Sequence, residues 1–115
     1  QNAARAYSKA FEGHANIIAP SICDICDCHV FHQYTLRILD GDRTQIMASL
    51  KEAGIASMVY YPLPIHKQEA FLTEQSLPVC ESLSKEVISL PIGSEMSKES
   101  IEYITSTFKQ IIKQK

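Results

Sequence analysis

The segment from Val30 to Ile38 constrains the fold most, because a mainly apolar set of side chains alternates in it with a more polar set, with a period of two residues. One face is mainly apolar and consists of Val30, His32, Tyr34, Leu36 and Ile38. The other face consists of His29, Phe31, Gln33, Thr35 and Arg37. This alternation is typical of a β-strand that buries one face. We therefore expect a strand here, with its apolar face packed on a core.

Two helical patterns flank this strand. Apolar residues recur at helical spacing over residues 3–11, and Gly13 provides a stop. After the strand, Asp42 and Gln45 form the spacing of a capping box, and Gly54 ends the apolar pattern that follows. We expect one helix on each side of the strand.

Two more helices are predicted towards the end of the chain. Pro78 begins one that runs to about Val87, and Ser97 caps the other. The last helix carries one apolar stripe: Ile101, Ile104, Phe108, Ile111 and Ile112.

Three extended segments complete the pattern. Residues 16–22, interrupted by Pro20, predict an edge strand; residues 55–61 and 87–92 predict two more strands. Strands and helices then alternate in an order that fits one α+β domain, a small sheet covered by helices. Strand–helix–strand connections by themselves favour parallel pairing.

Composition excludes several classes of protein. The 115 residues are 45% hydrophobic and 21% charged, as in a soluble globular domain. The net charge of −2, with scattered basic residues, does not fit a nucleic-acid-binding surface. Apolar runs are far shorter than the roughly 20 residues that span a bilayer. We expect a cytoplasmic protein without membrane or nucleic-acid partners, and, since the chain starts at Gln1, part of a longer product.

Potential metal ligands cluster within ten residues: Cys23, Cys26, Cys28, His29 and His32. Structural zinc sites usually collect pairs of ligands from two separated arms, whereas these residues lie on one arm. We therefore predict no metal site. A redox-active C-x-x-C pair at Cys23 and Cys26 has even less support, because no helix N-terminus follows it to lower the pKa of a thiol. The alternative interpretation is small, partly buried thiols in a reducing compartment, with Cys80 as another.

Polar side chains at two places are candidates for a binding site. His32 and Tyr34 interrupt the apolar face of the predicted strand, and Tyr60, Tyr61 and His66 bracket a rigid double-proline loop. Each could instead serve the fold, because buried polar tips need hydrogen-bond partners. No Ser-His-Asp or Cys-His pattern and no glycine-rich phosphate loop occurs in the sequence. We predict no catalytic residue in this chain.

Four segments carry a family resemblance: residues 29–34 (HVFHQY), 50–55 (LKEAGI), 60–66 (YYPLPIH) and 89–92 (SLPI). Together, in this order and spacing, they resemble the carboxy-terminal region of the DegT/DnrJ/EryC1/StrS aminotransferases, over nearly the whole chain. The resemblance implies the small domain of a fold-type-I enzyme over residues 1–115, with a mainly antiparallel sheet of three to four strands. The large domain that binds pyridoxal phosphate would lie outside this chain.

The resemblance also implies a function for the parent protein. Members transfer an amino group from glutamate to a keto group of a nucleotide-linked sugar, with pyridoxal phosphate as cofactor, and the parent would be a homodimer. The cofactor lysine belongs to a Ser-x-His-x-x-Lys segment that is absent here, and Lys67 does not match it. The isolated chain is expected to bind no cofactor and to be inert. By resemblance, the substrate-side residues are His32, Tyr34, Tyr61 and His66.

Three alternatives stay open at this point. Some relatives replace the cofactor lysine by histidine and remove a sugar hydroxyl, and this chain does not distinguish such a dehydratase from an aminotransferase. A free-standing α+β binding module and a metal-binding module are the other two. The sugar, the nucleotide and the position of the aminated carbon do not follow from the sequence.

Overall fold

The computed structural model describes residues 1–21 and 28–113. This part of the chain forms four α-helices and a three-stranded sheet. The elements in chain order are α1 (Asn2–Phe11), β1 (Ile17–Ile18), β2 (Tyr34–Ile38), α2 (Arg43–Glu52), α3 (Pro78–Glu86), β3 (Val87–Leu90) and α4 (Lys98–Lys113). Two 3₁₀ turns, Ile65–Lys67 and Glu69–Phe71, lie between α2 and α3.

The sheet has the order β1-β2-β3, and both pairs are antiparallel. Tyr34 pairs with Leu90 and Leu36 with Ile88, while Ile38 pairs with Ile17 of the edge strand β1. The predicted α+β fold and antiparallel pairing are confirmed. Parallel pairing, which the connections alone favour, does not occur in this sheet.

One core holds these elements together. Tyr34, Leu36 and Ile38 of β2 are buried, in line with the period-two pattern. Phe11 of α1 meets Phe108 of α4 edge-on, with ring centroids 5.4 Å apart. Every buried side-chain nitrogen or oxygen among the described residues has a hydrogen-bond partner. Burial of these apolar faces is the main force that fixes the helices on the sheet.

The predicted helix ends are confirmed by their caps. Oδ1 of Asp42 accepts hydrogen bonds from the backbone N–H groups of Thr44, at 2.8 Å, and Gln45, at 3.3 Å. Gly54, with φ of 74°, follows the end of α2 in the left-handed conformation that glycine adopts readily. Oγ of Ser97 accepts from the N–H of Ser100 at 3.2 Å.

Strand β2 is shorter than the strand predicted over residues 30–38. β2 begins at Tyr34, and Val30 is 81% exposed instead of lying on the buried face. Phe31 has a φ of 49°, and this left-handed residue breaks the extended pleat. The alternation is therefore lost before Tyr34, so Phe31 is buried and His32 is exposed.

The predicted strand over residues 55–61 is also wrong. Only Met58 pairs with the sheet, through two backbone hydrogen bonds of 3.1 and 2.7 Å with Ser89. The chain then leaves β3 and enters residues 61–66, which contain Pro62 and Pro64 and which we call the proline loop. Prolines lack a backbone donor, so the ladder cannot continue along this segment.

The cysteine cluster is described only in part. Cys23 and Cys26 lie outside the described residues, so their predicted role is not addressed. Cys28 is disulfide-bonded, and the expectation of a thiol there is wrong, because it rested on an assumed reducing compartment and not on the residue pattern. Cys80 is a free thiol but is exposed.

Over residues 1–21 and 28–113, no helix combines the length and the apolar character needed to span a bilayer. Nor do His, Cys, Asp and Glu side chains of that part gather in threes where a metal ion could be held.

Candidate functional site

A small cavity with a mixed polar and apolar lining lies where the start of β2, the end of β3 and the segment before the proline loop meet. We call it the His32 cavity; its volume is about 270 Å³. Its lining residues are His32, Gln33, Ala56, Ser57, Met58, Tyr60, Ser89, Leu90, Pro91 and Ile92. One wall of the cavity comes from residues 56–60, and the backbone pairing of Met58 with Ser89 holds this wall against the sheet. The left-handed turn at Phe31 places His32 outside the core and in this cavity.

The side chains of the His32 cavity can bind a polar ligand. His32 offers an imidazole, Gln33 an amide, Ser57 a hydroxyl and Tyr60 a phenol. These groups donate and accept hydrogen bonds, and none of the described lining residues is a carboxylate or a lysine. Such a set can hold hydroxyl or phosphate oxygens.

Tyr34 is placed in the core and not in the cavity. Its side chain is fully buried, its ring lies 4.9 Å from the ring of Tyr7, and its hydroxyl shares a 2.9 Å hydrogen bond with Oγ of Ser8. Burial raises the pKa of Tyr34 above the usual value for a phenol. The hydroxyl is thus satisfied inside the domain, and β2 is tied to α1.

His66 is also directed inward. It is only 7% exposed, and its Nε2 donates a hydrogen bond of 3.0 Å to Oε1 of Glu81 on α3. The same oxygen accepts from the backbone N–H of Leu77 at 3.1 Å, and Nζ of Lys67 lies 3.7 Å away. The hydrogen bond from His66, followed by that from Leu77, lowers the pKa of Glu81. We call this arrangement the Glu81 anchor, because it ties the proline loop to α3.

Tyr61 lies on a different surface. Its side chain is 76% exposed and lines a wide groove of about 660 Å³ between the proline loop and α3. The lining of this apolar groove is Tyr60, Tyr61, Leu63, Pro64, Ile65, Leu77, Pro78, Val79, Cys80, Leu83, Ser84 and Val87. Tyr60 borders both the groove and the His32 cavity. The two surfaces therefore meet at one side chain.

The structure separates the four predicted site residues. Of these four, His32 lines the His32 cavity, Tyr61 lines the apolar groove, and Tyr34 and His66 are buried. Tyr60 was predicted beside the proline loop without a place at the substrate, and neither Gln33 nor Ser57 was predicted as a site residue. The signal for Tyr60 was its place beside Tyr61, whereas an isolated glutamine and serine carry no recognisable signal.

The sequence of this chain is similar to those of known proteins. A family model for the DegT/DnrJ/EryC1/StrS aminotransferases matches residues 1–109. A pleiotropic regulatory protein of Geobacillus stearothermophilus is 48% identical over 80 residues, which are 66% of this chain and 21% of that protein. UDP-N-acetyl-3-dehydro-alpha-D-glucosamine 3-aminotransferase of Acidithiobacillus ferrooxidans is 36% identical over 86 residues, 73% of this chain and 23% of that enzyme.

Solved structures show the same fold. The crystal structure of S. venezuelae DesV in complex with a ketimine intermediate superposes with a TM-score of 0.83 at 27% identity. That superposition covers 95% of this chain and 30% of the other. The present chain thus spans about a fifth to a third of the length of these relatives. Because the family model matches nearly all of its residues, the chain belongs to the DegT/DnrJ/EryC1/StrS aminotransferase family.

Proposed function

We propose that residues 1–115 are the carboxy-terminal small domain of an aminotransferase that acts on a nucleotide-linked keto-sugar. The observation that carries this proposal is the family match over residues 1–109, in a chain that spans only 21–23% of two curated relatives. One of those relatives is named for amination of a UDP-linked 3-keto sugar. Glutamate is the proposed amino donor, and the parent protein is proposed to be a homodimer that contains pyridoxal phosphate.

The described residues of this chain do not fit the cofactor. Pyridoxal phosphate needs a lysine for covalent attachment and a carboxylate at its pyridine nitrogen. None of the described residues that line the His32 cavity is a lysine or a carboxylate. Lys67, the lysine next to the proline loop, lies 3.7 Å from Glu81 at the Glu81 anchor. We therefore assign the cofactor to the large domain of the parent and derive no step of its chemistry from this chain.

The proposed contribution of this chain is to bind and orient the sugar nucleotide. His32, Gln33 and Tyr60 supply hydrogen-bonding groups at one end of the substrate cleft. Holding a substrate in one reactive orientation lowers the entropic part of the barrier without any proton transfer by the holding groups. Of the four residues predicted from the sequence, we keep His32 at the substrate and assign supporting positions to Tyr34, Tyr61 and His66.

The experiment uses the parent enzyme, assayed with a UDP-linked 3-keto sugar and glutamate. Loss of one positioned hydrogen bond in His32→Ala or Tyr60→Phe should lower kcat/KM for the sugar by roughly ten- to a hundredfold. Reaction of the cofactor with glutamate alone, followed by its absorbance, should be unchanged. Full activity of both variants would show that the His32 cavity does not contact the sugar nucleotide. A parent without any cofactor lysine would overturn the aminotransferase itself.

A further inference from the structure

Exposed apolar side chains are concentrated on one stretch of this molecule. Among the described residues, thirteen large hydrophobic side chains are exposed, and eight of them lie within residues 60–79. These eight are Tyr60, Tyr61, Leu63, Ile65, Phe71, Leu72, Leu77 and Val79. Scattered exposed hydrophobics are normal on a soluble protein, whereas a contiguous patch marks a surface that contacts another molecule or domain.

The chemistry of the apolar groove favours apolar protein side chains over a charged ligand. No described lining residue carries a charge, and the only polar side-chain atoms of that lining are two phenol hydroxyls, the thiol of Cys80 and the hydroxyl of Ser84. A nucleotide diphosphate needs cations or several N–H donors, and this groove supplies neither. Apolar side chains of a protein fit it, because burying apolar surface is favourable without any specific pairing.

The groove is also held open before anything binds. One wall is the proline loop, whose two prolines restrict the backbone, and the other is α3. The Glu81 anchor joins these walls through the 3.0 Å hydrogen bond from His66 of the loop to Glu81 of α3, while the 3.1 Å bond from the N–H of Leu77 holds the same carboxylate at the start of α3. A groove of fixed width loses little conformational entropy when it is filled.

We propose that the apolar groove is the docking surface for an apolar element of the large, cofactor-binding domain of the same parent polypeptide. This inference rests on the proposed function. The relatives that match this chain are about three times as long, so each contains a further body of protein able to cover such a face. Tyr60 borders both surfaces, so docking at the groove brings the His32 cavity to the edge of that domain.

A second copy of this chain is a poorer occupant. The five other exposed large hydrophobics of the described residues are Ile18, Val30, Leu39, Met58 and Tyr103. They lie on β1, before and after β2, on the segment that pairs with β3, and on α4. They form no second concentration along the chain, so a head-to-tail pairing of two copies has no apolar counterpart for the groove, and only a symmetric pairing of two grooves is left to be tested. Self-association is therefore an outcome that the experiment has to test and that would contradict the inference.

Cys80 is a native reporter for this surface. It is a free, exposed thiol in the lining of the groove. The isolated chain and the parent enzyme are pulse-labelled with iodoacetamide, and mass spectrometry of the peptide that contains Cys80 gives its rate separately from the other cysteines. If the groove is covered most of the time, labelling in the parent should be slower by at least about tenfold. Equal rates in the two proteins would overturn the inference.

Two matched substitutions test the same surface without the thiol. Val79 in the groove and Val30 outside it are 73% and 81% exposed, so Val79→Asp and Val30→Asp make the same chemical change at similar exposure. In the parent, Val79→Asp should restore rapid labelling of Cys80, and Val30→Asp should not. In the isolated chain neither change should lower Tm, because neither side chain is buried there.

The same samples separate this inference from the proposed function. Parent enzyme that aminates the keto-sugar while Cys80 stays unprotected contradicts docking at the groove and leaves the function intact. Parent protein that protects Cys80 but has no transaminase activity contradicts the function and leaves the docking surface intact. If the isolated chain dimerises and thereby protects Cys80, as seen by sedimentation and labelling at several concentrations, the occupant is a second copy and the inference is wrong.

Discussion

His66 has a different environment from the one its sequence context indicates. Its imidazole is buried beneath the proline loop and bonded to Glu81, so it stabilises the loop. His66→Ala should therefore lower the Tm of the isolated chain by roughly 5 °C or more, because the Glu81 carboxylate loses the donor that ties it to the loop and a buried side chain is removed. Thermal unfolding followed by circular dichroism measures this, with His32→Ala as the exposed control. An unchanged Tm for His66→Ala would contradict the anchor.

Glu81 gives the anchor a dependence on pH. Hydrogen bonds from His66 and Leu77 lower its pKa in the folded chain, so its ionised form is favoured by folding. This stabilisation is fully present above the ordinary pKa of a glutamate and is lost as the pH falls through the lowered folded value. Glu81→Gln, which keeps the shape but not the charge, should therefore show a smaller loss of Tm than wild type between about pH 5 and pH 3. Identical pH profiles would contradict this assignment.

At the scale of single residues, the sequence predicts which side chains stand out but not where they point. His32 was expected on the buried face and lies in the cavity, because Phe31 is left-handed. A positive φ at phenylalanine is uncommon and has no sequence signature. Tyr60 and Tyr61 look equivalent in the sequence, yet only Tyr60 lines the His32 cavity. Side-chain direction in an irregular loop depends on tertiary contacts that a pattern does not contain.

At the scale of elements, the helices were the most predictable part. Each end is specified by neighbouring residues, such as Asp42 before α2 and Gly54 after it. The strands were less predictable, because β-pairing depends on residues far apart in the sequence. Met58 pairs with Ser89 for a single bridge, and nothing within residues 55–61 indicates that the pairing stops there.

The cap of α2 allows a direct test at this scale. Asp42→Ala removes the carboxylate that accepts from the N–H groups of Thr44 and Gln45, and it should destabilise the chain by about 1 kcal/mol. Urea unfolding at neutral pH measures the change. Asp40→Ala is the matched control, since Asp40 is an exposed aspartate two residues earlier, outside this cap. Equal effects of the two substitutions would show that the loss of charge, and not the cap, is responsible.

At the scale of the whole molecule, the sequence pattern predicts the α+β class and the main apolar stripes, while the strand order follows from the resemblance and the structure. Local periodicity shows that β2 and β3 each bury apolar side chains, but it does not show that they are antiparallel neighbours. Helices α1 and α4 are packed on each other by contacts such as that between Phe11 and Phe108, which are almost a hundred residues apart. The division of the surface into the His32 cavity and the apolar groove also appears only when all elements are assembled.

A comparison of two phenylalanines tests which apolar side chains pack within the domain and which belong to the exposed apolar stretch. Phe108 of α4 is fully buried against Phe11, whereas Phe71 is 63% exposed on the stretch that also forms the apolar groove. Phe108→Ala should destabilise the isolated chain by about 3–5 kcal/mol, through lost burial and the cavity left behind. Phe71→Ala should change the free energy of unfolding by less than about 0.5 kcal/mol, because its side chain already contacts solvent. Urea unfolding of the two variants beside wild type measures both values. A large loss of stability in Phe71→Ala would mean that this side chain packs within the domain, and that the exposed apolar stretch is smaller than the docking proposal requires.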